Sequence, residues 1–193
     1  FNGGLSLNPG GSAGGDRPDN RSSGIAIDAS NRIVVSGGTL CPDPSALLMR
    51  FSSTGRLDSG MDYNCLGDIR FSAATNGILL DGTDILILGE PASSQATLYR
   101  VSESGSLKSS EPLGYWANEM RWSGDGKILI RSYGLIHKLE PSTFSKIKTY
   151  PSELFNGSLQ AFAPQADGKI VIIGNQYDQA LDAHYLKMVK YLP

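Results

Sequence analysis

The chain has 193 residues, 40% of them hydrophobic, with 17 basic and 19 acidic side chains and a formal net charge of −2. That length holds a domain with a real core. It carries no Lys/Arg stripe that would release counterions from nucleic acid, which argues against that partner, and apolar runs of four or five residues fall far short of a membrane span.

The segment Phe1 to Leu7 precedes any complete structural unit, and Phe1-Asn2-Gly3-Gly4 does not read as a chain start. The chain therefore reads as a processed or excised piece. A Gly/Pro-rich stretch follows, carrying Asp16, Arg17, Asp19, Asn20 and Arg21; its spacing matches no calcium loop.

From there one phrase recurs four times: an apolar strand, a tight polar turn, a second apolar strand, then a third ending in a basic residue. In the first unit Ile25-Ala26-Ile27 precedes Ile33-Val34-Val35, and Ala46 to Phe51 follows, with a weak fourth strand at Arg56-Leu57-Asp58. The second unit has Ile78-Leu79-Leu80, Ile85 to Leu88, Ala96 to Val101 and Ser106-Leu107-Lys108. The third has Met120-Arg121-Trp122, Ile128-Leu129-Ile130, Leu135 to Leu139, and Phe144 in its fourth strand. The last has Ala161-Phe162-Ala163, Ile170 to Ile173 and Leu186 to Tyr191, and no fourth strand.

The matched isoleucines at 33, 85, 128 and 170 are 52, 43 and 42 residues apart. Several strands per unit at that period predict propeller blades. The second strands are unbroken apolar runs, so they should be buried on both faces. Asp125-Gly126 and Asp167-Gly168 predict two-residue hairpins with positive φ at both central positions. We expect an all-β, four-bladed β-propeller of about four antiparallel strands per blade. Its repeats fall near 20–60, 69–110, 118–150 and 158–193 in one domain, and residues 1–19 supply a strand and loop that complete the last blade and remove an open edge.

Cys41 and Cys65 stand 24 apart, and the only histidines, His137 and His184, are distant in sequence, so no zinc set forms. The cysteines are either two buried thiols or a disulfide. Both are placed in polar loops, which favours the disulfide and with it an oxidising compartment.

The phrase Ala163-Pro164-Gln165-Ala166-Asp167-Gly168-Lys169-Ile170-Val171-Ile172-Ile173-Gly174 resembles the core of the bacterial delta-sixty repeat. Leu186 to Pro193 is similar to that repeat's third strand, Gly55-Arg56-Leu57-Asp58-Ser59 to the strand after it, and Phe1-Asn2-Gly3-Gly4 to its glycine tail. The second unit departs from the pattern by losing the Asp-Gly-Lys turn, and the third by a shortened loop at Ser132-Tyr133-Gly134. The resemblance implies a large exported or surface-displayed bacterial protein. It implies no catalytic set and no cofactor.

The short turns fall at one end of such a propeller and the long connections at the other, including 37–45, 89–95, 110–119, 150–157 and 175–184. Recognition favours long loops on a rigid scaffold. Tyr177, Asp178, Asp182 and His184 combine an aromatic platform with carboxylates, against the plainer reading of a solvated loop. Tyr115 and Trp116 form either a stacking site between blades or a buried wedge. Arg50, Arg100, Lys138 and Lys190 recur late in each third strand, and are expected as outward edge charges. His137 takes the place of Met49, Tyr99 and Val189, so it reads as a strand residue; no catalytic residue and no metal site is assigned.

The expectation is a non-enzymatic binding or adhesion module, secreted or at the cell surface. It would contact a surface glycan or protein, would not insert into a membrane, and could assemble with copies of itself. The alternatives are a spacer or part of a larger propeller, and, third, a saccharide-active hydrolase or lyase.

Overall fold

The structure is a computed structural model that describes residues 21–40, 44–58, 65–70, 77–89, 95–151 and 159–192. Among the described residues fifteen strands form four antiparallel sheets, and there is no helix. Blade 1 is β1 (Arg21–Ile27), β2 (Ile33–Leu40), β3 (Pro44–Phe51) and β4 (Cys65–Arg70). Blade 2 is β5 (Gly77–Asp81), β6 (Asp84–Gly89), β7 (Thr97–Val101) and β8 (Leu107–Pro112). Blade 3 is β9 (Glu119–Trp122), β10 (Ile128–Ser132), β11 (Leu135–Leu139) and β12 (Lys146–Tyr150). Among the described residues blade 4 has three strands, β13 (Leu159–Pro164), β14 (Ile170–Asp178) and β15 (Ala183–Tyr191). Each sheet is a meander in which sequence neighbours pair. First strands lie side by side, β1 against β5 and β5 against β9. This is the propeller-like arrangement that the repeat implies.

One turn geometry recurs. At 28–32, 52–56, 102–106, 123–127 and 165–169, the fourth residue's amide donates to the first residue's carbonyl, and the first residue's amide donates to the fifth residue's carbonyl. The fourth residue, Asn31, Gly55, Gly105, Gly126 or Gly168, has positive φ. This is a type I turn followed by a left-handed residue, the three-residue hairpin loop. The expected two-residue turn with two positive φ values is thus corrected: at Asp125-Gly126 and Asp167-Gly168 only the glycine turns left-handed. Blade 2, which lost the Asp-Gly-Lys phrase, uses a two-residue loop instead, with Asp81 paired to Asp84 and Gly82 at φ 63°.

Each blade has two faces. The front holds the first and third residues of the second-strand run, such as Ile85 and Ile87; the back holds Leu86 and Leu88. Three apolar clusters fill the junctions. Val34 and Leu48 on the back of blade 1 meet Ile78, Ile85, Ile87, Tyr99 and Val101 on the front of blade 2. Leu86, Leu88 and Leu98 meet Met120, Ile128 and Ile130. Leu129 and Ile136 meet Phe162, Ile170 and Ile172. Blades 2 and 3 are therefore buried on both faces, as the unbroken apolar runs predict. The second strands of blades 1 and 4 instead alternate, with Val34 buried between half-buried Ile33 and Val35, and Val171 and Ile173 only half-buried beside Ile170 and Ile172.

Several expectations need correction. Arg56-Leu57-Asp58 is not the fourth strand of blade 1; Leu57 makes one bridge to Phe51, and β4 pairs with β3 through Cys65 and Leu66. Cys65 therefore opens a strand rather than lying in a loop. Cys41, and with it the proposed disulfide, lies outside the described residues, as do the closing strand and the Gly/Pro-rich stretch in residues 1–20. Phe144 sits in a turn at φ 58° with its ring buried against the blade 2–3 junction, and β12 starts after it. The connections at 37–45 and 175–184 are largely strand, because both second-to-third hairpins run on well past the core.

Candidate functional site

The four residues Tyr177, Asp178, Asp182 and His184 do converge, on a hairpin rather than a loop. β14 and β15 pair over nine positions, from Ile170 with Tyr191 to Asp178 with Ala183. The matching β10–β11 hairpin of blade 3 has five pairs. The difference of four pairs carries the blade 4 hairpin about 13 Å beyond its neighbour. Asp178 closes the tip by accepting the amides of Ala180 at 2.8 Å and Leu181 at 3.3 Å. Asp182 takes φ 48°, a conformation short polar residues tolerate. Tyr177 and His184 are a cross-strand pair whose ring centroids lie 4.9 Å apart at 44°. The Tyr177 hydroxyl donates to Asp182 Oδ1 at 2.5 Å, and that bond holds the phenol above its ordinary range. The platform is thus fixed from two sides. Leu181 at the tip and Leu186 on the same face are exposed, and Tyr185 is exposed on the opposite face.

Tyr115 and Trp116 separate instead of forming one site. Tyr115 turns inward onto the blade 2–3 junction, where burial pushes its phenol up to about 12. Its ring lies 4.1 Å from that of His137. Trp116 is exposed. His137 is a buried strand residue, as its place in the repeat implies, with Nδ1 3.0 Å from Thr149 Oγ1. Burial, helped by the charge of Lys146, lowers its pKa to about 4. The folded protein therefore holds His137 neutral between about pH 4 and 6.5, where the unfolded chain binds the proton. Stability should fall as the pH drops through that window and level off below it. Replacing His137 with Phe should flatten the slope of the melting temperature there, and an unchanged slope would refute the assignment.

The short-turn end is where sequence reading missed most. Arg50, Arg100 and Lys138 are not outward edge charges. Arg50 and Lys138 are buried and Arg100 nearly so. Arg50 Nε donates to Asp58 at 2.7 Å, and its Nη1 donates to the Glu103 carbonyl of blade 2 at 3.1 Å. Arg100 donates to Asp81 at 2.7 Å and to the Pro141 carbonyl of blade 3 at 2.6 Å. Lys138 donates to Asp125 at 2.6 Å. Arg50 and Arg100 thus tie the turn of the next blade, whereas Lys138 ties the turn of its own. Beside Arg50 lies a cleft of about 250 Å³ between blades 1 and 2, lined by Asp28, Arg32, Arg50, Thr83 and Glu103. Arg32 bonds Asp28 at 2.6 Å and Glu103 at 2.5 Å. Burial alone would raise the Asp28 pKa, but the bonds from Arg32 and Ser30 outweigh it and lower it. The two guanidiniums are spent on Asp28, Asp58 and Glu103, so this cleft is a strut between blades and not an anion site. No group of three or more metal-ligating side chains forms among the described residues.

No family model and no curated protein matches the chain. Solved structures do. A Bacteroides caccae protein of unknown function superposes with a TM-score of 0.58 at 12% identity, over 89% of this chain and 63% of that one. Puromycin hydrolase superposes at 0.50 and 16% identity, over 88% of this chain and 29% of the hydrolase. The WD40 domain of Neurospora crassa Pan2 gives 0.43 at 13% identity, over 89% and 63%. The chain thus spans less than two thirds of each. At these identities the likeness concerns the fold alone.

Proposed function

We propose that this chain is a non-enzymatic binding module of an exported bacterial protein, and that it contacts a surface glycan through the overhanging blade 4 hairpin. The observation that carries this reading is the Tyr177 ring, braced by His184 and by its bond to Asp182 on a strand pair that outreaches its neighbour. A braced aromatic face stacks on sugar C–H groups with little ordering cost, and the second Asp182 oxygen accepts a hydroxyl. The delta-sixty motifs support export. A second reading, a protein ligand, is favoured by the exposed Leu181 at the hairpin tip.

A glycan array with the whole chain tests this. Binding to a defined set of sugars is expected. Tyr177→Ala should weaken it by about tenfold, the scale of one stacking contact, without lowering the melting temperature. Binding that survives Tyr177→Ala would remove the hairpin from the site. Silence across a broad array, with cell binding that protease treatment abolishes, would replace the glycan with a protein.

A further inference from the structure

The junction positions repeat from blade to blade, so the same position can be compared in all four. On the front face, the matched residues of the first strands are Ile25, Ile78, Met120 and Phe162, each opposite the third residue of its second-strand run. Ile78, Met120 and Phe162 are 7%, 6% and 3% exposed; Ile25 is 70% exposed. On the back face the matched third-strand residues are Leu48, Leu98, Ile136 and Met188. The first three are 2%, 0% and 0% exposed, and Met188 is 68%. The front of blade 1 (Ile25, Ile27, Ile33, Val35, Met49 and Phe51) and the back of blade 4 (Val171, Ile173, Leu186 and Met188) are therefore built as junction faces and left open. A ring closed within these four blades would cover both.

We infer that two copies of this chain join head to tail, the back of blade 4 in each seating on the front of blade 1 in the other, to close an eight-bladed ring. This rests on the junction faces and not on the hairpin reading above. The complement of a blade back is a blade front, and the molecule shows three such pairings already. Among the described residues one face of each kind is open, so a second copy satisfies both at once. A heterologous contact of this sort forms a ring when its rotation closes, and eight blades lie within the range propellers use. The polar tie fits as well. Lys190 holds the place of Arg50 and Arg100, whose guanidiniums reach the carbonyls of Glu103 and Pro141 in the following blade. Across the new junction the matched carbonyl is that of Ser53 in the second copy.

Sedimentation velocity on the whole chain is expected to show a species of twice the 20.6 kDa chain mass. Ile27→Asp on the front and Met188→Asp on the back should each leave only monomer. Both side chains are more than two-thirds exposed in the single chain, so the circular dichroism and melting of the variants should not change. An equal mixture of the two variants retains one intact front–back pair and should recover dimer where neither alone does. A wild-type chain that stays monomeric over a wide concentration range overturns the inference. So does a dimer that survives Met188→Asp, since the contact would then be front to front.

Discussion

Gly124→Ala is expected to destabilise the protein by about 3 kcal/mol, the upper end of what forced overpacking costs, and to lower its melting temperature by roughly 10 °C for a domain of this size. The cause is the junction between blades 3 and 4 at the short-turn end. A Cβ on Gly124 would lie 2.2 Å from the carbonyl oxygen of Gln165, 2.5 Å from that of Ala166 and 2.6 Å from the Ala166 carbonyl carbon. All three are backbone atoms, so no side chain can swing aside. They belong to the 165–169 turn, whose own hydrogen bonds hold it in place. Relief requires the two blades to part, which opens the Leu129–Ile172 cluster. Gly126→Ala is the control. Gly126 has φ 73° and nothing within 4 Å of the added carbon, so only left-handed strain is added, about 1 kcal/mol. Thermal melts of the pair decide the matter: equal losses would mean that the blade contact at Gly124 yields and the junction is loose.

How much of this was legible differs from element to element. The second strands were, because Ile85 to Leu88 and Ile128 to Ile130 are unbroken apolar runs and are buried throughout. The same pattern in Ile33-Val34-Val35 and Ile170 to Ile173 could not show that only alternate residues are covered. A run of apolar side chains looks alike whether a partner blade is present or waiting. The blade 4 hairpin was hidden for a different reason. Beyond the core both of its faces meet water, so Asn175-Gln176-Tyr177-Asp178 carries no period-two hydropathy and reads as a loop. Its four candidate residues still meet at one hairpin end, because the turn chemistry of Asp178 and Asp182 is local. The fate of Arg50 and Arg100 was not local. A cation late in an edge-side strand looks like a solubility device until the turn of the next blade covers it. Fourth strands were the weakest signal. β8 and β12 are almost wholly exposed and polar, and in blade 1 the strand starts well after the turn that leads to it.

Arg50→Ala is expected to cost about 3 kcal/mol, the lower part of the range for breaking a buried ion pair. The Arg50 side chain is 7% exposed, so it makes its bonds with little competition from water. Its removal takes a donor from three acceptors, Asp58 Oδ2, the Glu103 carbonyl and Glu103 Oε1, at 2.7, 3.1 and 3.2 Å. It also takes away the apolar stem beside Val34, its cross-strand partner. Asp58 and Glu103 are themselves 27% and 41% exposed, so water recovers part of the loss and the cost does not reach the top of the range. Arg50→Met separates the contributions. It keeps the apolar stem and loses only the charge, so it should restore roughly half of the stability. The change should also have a place. Hydrogen exchange ought to quicken in β3 and in the 102–106 turn, which Arg50 joins, and hardly at all in blades 3 and 4. Exchange that speeds up evenly across all four sheets would show that the cation serves the fold as a whole and not the junction it spans.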